Sequence, residues 1–278
     1  MLRRNFSLTN LDSEIIRAEI HHREDVKNAP VIVICHGFKG FKDWAFFPYL
    51  AESLAHAGYI ALTFNFSRNG IGADLYNFTE LDLFAKNTYT HELKDLQFIT
   101  DSLFTGEIGK GLVDPERIGL IGHSRGGGVA ILYAHSDQRI KSLVTWSAIA
   151  SVERYSAEEM DQWKKKGYIE IKNKRTNQIM RITTDLLNDI QKNKKILNIL
   201  SAAEKIDIPI LVIHGQNDET VPVNEAQMIY DHLNASDKDL IIIEEGTHTF
   251  NATHPLETIP EELETVLYLT ESWFDRFL

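Results

Sequence analysis

Gly122-His123-Ser124-Arg125-Gly126-Gly127 is the stretch on which the reading of the fold turns. Upstream of it, Arg117-Ile118-Gly119-Leu120-Ile121 reads as a short buried strand, and downstream Val129 to His135 reads as a small-residue helix. A G-x-S-x-G pentapeptide between a strand and a helix is the context of a nucleophile elbow, with Ser124 at the tip of a sharp turn. Gly122 and Gly126 let strand and helix pass close together without side chains, and the tip then holds the strained backbone that projects the serine hydroxyl. An ordinary Gly/Ser loop is the alternative that the pentapeptide leaves open, so the rest of the chain has to decide.

The 278 residues, 43% of them hydrophobic, suffice to bury one large core, and a single domain with an insertion is expected. Lys and Arg number 29 against 40 Asp and Glu, a net charge of −11 that argues against general affinity for nucleic-acid phosphates. The one cysteine, Cys35, excludes an internal disulfide and lies in the apolar run Val31-Ile32-Val33-Ile34-Cys35, where it reads as a buried core thiol. Arg3-Arg4 is not followed by the apolar segment of a secretion signal, and no apolar run approaches the length of a membrane span. A soluble cytoplasmic protein is the expectation.

Working outward along the chain, Phe6 to Leu11 and Ile15 to His21 read as edge strands. Val31 to Cys35, entered after Pro30, reads as a strand buried on both faces of a mainly parallel sheet, and it delivers the chain into His36-Gly37-Phe38-Lys39-Gly40-Phe41. Helices are expected at about Phe46 to Ala57 and along Leu93, Leu96, Ile99 and Leu103, with the strand Tyr59 to Phe64 between them. The glycine-rich Ser67 to Gly72 reads as a turn rather than a phosphate loop, because the P-loop lysine and hydroxyl are missing. Further strands are expected at Ile140 to Trp146, Ile208 to His214 and Leu240 to Glu244, with helices at Val223 to Leu233 and along Leu263, Val266, Leu267, Trp273, Phe274 and Phe277. Such alternation predicts an α/β fold, a doubly wound sheet with helices on both faces and ligands at the carboxyl ends of the strands.

The alternation fails between about Ser151 and Lys205, too long a stretch for a structureless loop. A helix over Tyr155 to Lys166, a hairpin pairing Tyr168 to Lys172 with Gln178 to Ile182 across Asn173 to Asn177, and one or two helices over Asp185 to Ala203 are expected there. This segment holds 12 Lys and Arg against 8 Asp and Glu, hence +4, leaving −15 for the remainder. It reads equally well as a solvated surface insertion and as a substrate-contacting lid.

A serine hydroxyl needs a histidine to take its proton and a carboxylate to orient that histidine. Asp218 lies just beyond the strand Ile208 to Ile213, and His248 just beyond Leu240 to Ile243; Ser124 sits at the same kind of strand end. Three correct residue types at carboxyl ends of strands make Ser124, Asp218 and His248 the candidate catalytic residues. Glu219 is the alternative acid and His254 the rival base, and Asp218 also reads as a helix cap. The candidate oxyanion donors are the main-chain amides of Arg125, directly after the serine, and of Phe38. His36 and His123 read as structural hydrogen bonders rather than metal ligands, since no H-E-x-x-H or clustered carboxylates accompany them.

His36-Gly37, the Gly122 to Gly127 elbow, Asp218-x-x-Val221-Pro222 and Gly246-x-His248 together resemble the α/β-hydrolase superfamily, in particular its dienelactone-hydrolase-like and prolyl-oligopeptidase-like esterase branch. The placement of Ser151 to Lys205 is similar to the lid of bacterial cinnamoyl and feruloyl esterases. The resemblance implies a serine carboxylesterase acting on a small-molecule ester, with no metal or organic cofactor and with neither nucleic acid nor membrane as partner. Ser124 stands where dienelactone hydrolases proper carry cysteine, so that activity is not implied, and the chain has no room for the propeller of prolyl-oligopeptidase-type enzymes. A small serine peptidase or amidase would use the same residues. A catalytically idle binding protein is disfavoured, because none of the three residues is missing. Trp146, Tyr155, Trp163 and Tyr168 are the aromatic residues expected at the lid and rim.

Overall fold

The computed structural model describes residues 1–173 and 176–278. In chain order it begins with β1 (Leu2–Thr9), β2 (Ile15–His22), β3 (Ala29–Cys35), α1 (Phe47–His56) and β4 (Ile60–Asn65). There follow α2 (Leu81–Ala85), α3 (Tyr89–Thr105), β5 (Val113–His123), α4 (Arg125–Ala134) and β6 (Ile140–Trp146). Next come α5 (Ala157–Lys166), β7 (Tyr168–Lys172), β8 (Ile179–Thr183), α6 (Asp185–Lys192) and α7 (Ile199–Ala203). The chain closes with β9 (Ile210–Gly215), α8 (Asn224–His232), β10 (Lys238–Ile243) and α9 (Glu261–Phe277).

Eight strands form one sheet in the order β1-β2-β4-β3-β5-β6-β9-β10, parallel from β4 to β10 and antiparallel through β1 and β2. In β3 the alternation of side chains sends Val31, Val33 and Cys35 into one hydrophobic core and Ile32 and Ile34 into the other. The first core is covered by α3, α4, α7 and α8, the second by α1 and α9. A strand buried on both faces has no polar face to show, which is why Val31 to Cys35 is a continuous apolar run. Winding reverses between β4 and β5, which lie on opposite sides of β3, so the loops after β3 and β5 part and leave a crevice at the carboxyl ends.

Three expectations are corrected. Of the two N-terminal strands only β1 is an edge; β2 pairs with β4 from Arg17↔Asn65 to His21↔Ala61, and its inner residues are buried. The helix after the serine begins at Arg125, not Val129, because packing against the sheet overrides the low helix propensity of Gly126 to Gly128. The short helix α2 was not expected, and β5 begins at Val113, where Ala29 pairs with it, so Asp114 and Pro115 belong to the strand.

The segment after β6 carries α5, the β7–β8 hairpin, α6 and α7. The hairpin pairs Tyr168↔Thr183 to Lys172↔Ile179; of its connection Asn173 to Asn177, residues 174 and 175 lie outside the described residues. Trp163, Met180, Ile182, Leu186 and Leu187 are buried and continuous with the first core, and the Trp163 indole N–H donates to the Ile182 carbonyl at 3.0 Å. Outward, Thr183 Oγ1 donates to the Ala85 carbonyl at 3.0 Å and Gln178 Nε2 to the Phe78 carbonyl at 3.0 Å, while Asp189 accepts from the Thr90 amide and hydroxyl. The segment is therefore packed on α2 and α3 rather than solvated on all sides.

Candidate active site

Ser124 occupies the turn between β5 and α4 with φ 58° and ψ −123°, a conformation that L residues rarely adopt and that costs on the order of 1–3 kcal/mol. The surrounding main chain fixes it. The Ser124 amide donates to the Trp146 carbonyl at 2.8 Å, and its carbonyl accepts from the amides of Gly127, Gly128 and Ile149. A Cβ on Gly122 would lie 2.4 Å from the Gly126 carbonyl oxygen, and one on Gly126 2.5 Å from the carbonyl oxygens of Cys35 and His36, so neither position accepts a side chain.

His248 and Asp218 reach the serine from the loops after β10 and β9. His248 Nε2 is 3.0 Å from Ser124 Oγ, and His248 Nδ1 is 2.7 Å from Asp218 Oδ2. The carboxylate can only accept, so this pattern assigns the imidazole proton to Nδ1 and leaves the Nε2 lone pair for the serine hydroxyl. Asp218 is fully buried in its side chain. Burial alone would raise its pKa. Donors from His214 and His248, joined by the Val221 amide, outweigh burial and hold the carboxyl well below the usual carboxylate range. The Thr220 amide also donates to Oδ1, at 2.8 Å. Glu219, the alternative acid, is exposed. His254, the rival base, instead accepts from the Ala45 amide and stacks on Trp44.

Two buried imidazoles brace these loops. The His123 Nε2–H donates to the His248 carbonyl at 2.9 Å, tying the strand of the serine to the loop of the base. Burial, with the neighbouring His248, pushes the His123 pKa down to about 3. His36 donates from Nδ1 to the Gly37 carbonyl and accepts the Phe66 amide on Nε2; burial lowers its pKa to about 4. Both rings are thus engaged by main chain.

Phe38 and Arg125 line, with Ser124, a cavity of about 280 Å³ whose wall also includes Tyr89, Ile149, Tyr155 and Val221. Arg125 is the first residue of α4, so its amide has no helical carbonyl behind it to bond. The loop that carries Phe38 ends at Lys42, which is 3% exposed; its amide bonds Asn65 and its ammonium bonds Glu19 at 2.9 Å and Asp43 at 2.7 Å. Burial works against ionisation of Glu19, but His21 and Lys42 outweigh it and set its pKa at about 2.

Of the four aromatic residues expected at the lid and rim, only Tyr155 lines this cavity. Trp146 is buried under the sheet between Phe46 and Phe250 and donates to Thr270; Trp163 is core of the insertion; Tyr168 is flanked by Lys166 and Arg181. Sequence reasoning missed His214, whose Nε2 lies 3.2 Å from Asp218 Oδ2, and Glu92, which accepts from Arg125 Nε at 2.8 Å. A signal for Glu92 existed: it occupies the apolar stripe of α3, in register with Leu96, Ile99 and Leu103.

With this geometry in place, residues 44–276 match the model of the prolyl oligopeptidase family. The chain belongs to that family. Its members share the α/β-hydrolase fold seen here, and the chain is a hydrolase of that superfamily. Among curated relatives, the uncharacterized 31.7 kDa protein of the traX-finO intergenic region of Escherichia coli is 23% identical over 242 residues, 76% of this chain and 80% of that protein. Among solved structures, Est1E from Butyrivibrio proteoclasticus with ferulic acid bound superposes with a TM-score of 0.75 at 18% identity, covering 98% of both chains. Dienelactone hydrolase from Anabaena variabilis gives 0.63 at 18% identity and covers 100% of both. Among the described residues no helix is long and apolar enough to cross a membrane.

Proposed function

We propose that the chain is a serine carboxylesterase that forms an acyl-enzyme at Ser124. The observation that carries this reading is the hydrogen-bonded series from Ser124 Oγ through the His248 ring to Asp218, opening on a cavity walled by both apolar and cationic side chains. His248 Nε2 takes the hydroxyl proton as Oγ attacks the ester carbonyl, and the buried carboxylate of Asp218 stabilises the imidazolium that forms. Negative charge developing on the carbonyl oxygen is met by the amides of Phe38 and Arg125; one such donor is worth about 3 kcal/mol. His248 returns the proton to the leaving alkoxide, and water activated by the same imidazole then releases the acid. The cycle needs no group beyond these side chains, two amides and water.

Phe38, Tyr89, Ile149, Tyr155 and Val221 suit an acyl group with apolar or aromatic surface, and the likeness to Est1E with ferulic acid bound supports an ester substrate. The segment from about 151 to 205 acts in this reading as a lid on a single domain, reaching the cavity through Arg154 and Tyr155. The family match favours a second reading, a small serine peptidase or amidase, which differs only in the leaving group.

Labelling with a fluorophosphonate, followed by p-nitrophenyl esters of varied acyl length and matched aminoacyl amides, tests both. Labelling at Ser124 with esters turned over faster than amides is expected. An unlabelled serine with no turnover at any acyl length overturns the esterase reading, and faster turnover of amides replaces it with the second.

A further inference from the structure

We infer that Arg125 reads a carboxylate on the acyl part of the substrate, so that the substrates of this chain are acidic monoesters. The inference rests on the esterase reading and adds to it a substrate class. Arg125 is 6% exposed, yet it pairs with Glu92 through Nε alone, at 2.8 Å. The other oxygen of Glu92 is taken by Asn87 Nδ2 at 2.7 Å. The guanidinium carbon lies 3.9 Å from the Tyr89 ring centroid and 5.6 Å from that of Phe38, so the planar group is stacked between two walls of the Ser124 cavity. Nη2 is buried and, among the described residues, has no hydrogen-bond partner.

A buried guanidinium with an unspent donor is costly unless something accepts from it. A structural cross-tie between α3 and α4 would use the fork of the guanidinium bidentately, as Arg–carboxylate pairs commonly do. Here the end-on pairing leaves Nη2 without an acceptor, on a residue that lines the cavity. The sign of that acceptor follows from the wall. Among the described residues its two ionised side chains are Arg125 and Arg154, and no carboxylate lines it. Arg154 is already spent on Glu225 and the Thr220 carbonyl, which leaves Arg125 as the reader. From the segment 151–205, which carries +4 by sequence in a chain of −11, Arg154 adds a second positive charge to this wall, which favours an anion there.

The test compares kcat/KM for 4-nitrophenyl hydrogen adipate and 4-nitrophenyl heptanoate, acyl groups of similar length with and without a terminal carboxylate. The wild type is expected to favour the acidic ester by roughly tenfold or more, the scale of a charge-assisted hydrogen bond. In Glu92→Gln/Arg125→Met, which leaves no buried charge unpaired, the ratio falls to about one; the oxyanion amide of residue 125 acts on both esters and cancels. Arg125→Lys, which keeps the charge without the fork, lowers the ratio. A further arm needs no variant: free adipate is expected to inhibit turnover of a neutral ester competitively, and heptanoate much less. No preference in the wild type, or a preference that survives in the double variant, overturns the inference while fluorophosphonate labelling of Ser124 and turnover of the neutral ester leave the esterase reading standing. Loss of labelling and of both turnovers removes that reading, and this inference with it.

Discussion

The turn at Ser124 and the segment above it are held by different means. Main chain holds the turn: the Ser124 amide and carbonyl are bonded to Trp146, Gly127, Gly128 and Ile149, and Gly122 and Gly126 touch neighbouring backbone. Side chains hold the segment: Trp163 on Ile182, Gln178 on Phe78, Thr90 on Asp189 and Arg154 on Glu225. Backbone geometry tolerates few residue types and resists small displacements, whereas side-chain straps can be exchanged one at a time. The difference separates a turn fixed by its backbone from a segment whose supports can change one by one.

The largest expected effect is on the first side of that divide. Ser124→Ala or His248→Ala should lower kcat for p-nitrophenyl esters by roughly 10⁴-fold or more; steady-state rates read it, and near-native turnover in either variant removes these residues from catalysis. On the other side, Trp163→Ala should cost about 3–5 kcal/mol. If the straps are separable from the turn, limited proteolysis will cut first between residues 151 and 205 while fluorophosphonate still labels Ser124. Simultaneous loss of both would show the two regions to be one unit.

Glu19→Gln probes the base of the Phe38 loop, leaving buried Lys42 with Asp43 as its remaining carboxylate at a cost of about 1.5–3 kcal/mol at neutral pH. The pKa of Glu19 is lowered from 4.5 to about 2, so its stabilisation is present above about 4.5 and is lost as pH falls through about 2. Denaturation midpoints across acid pH should therefore fall for the wild type and be flatter for the variant. The smallest effect belongs to Arg154→Ala. The partly exposed pair with Glu225 is worth about 1 kcal/mol or less, so thermal stability should hardly move. A change in KM larger than the change in kcat would give Arg154 a part in shaping the cavity for substrate.

The same divide governs what could be read from the chain. Ser124, Asp218 and His248 were legible because each must follow a strand, and strands buried on both faces announce themselves as apolar runs such as Val31 to Cys35. The structure places His248 within hydrogen-bond reach of both Ser124 and Asp218. Whether Trp146 and Trp163 pack or face a substrate was open in the sequence, because an aromatic side chain has the same signature in either place; the packing of Phe46, Phe250 and Ile182 around them decides for the core. His214 and Glu92 were overlooked because polar residues inside apolar stretches are explained only by their partners, which lie far off in sequence in the case of Arg125. The short helix α2 has too few residues to show a period.

The charge division between body and insertion has a practical consequence. By sequence, residues 151–205 carry +4 and the rest of the chain −15, and from that segment Arg154 stands in the cavity wall beside Tyr155. At low salt an anion exchanger should therefore hold the protein through residues outside 151–205, leaving that segment the less retained part of the chain.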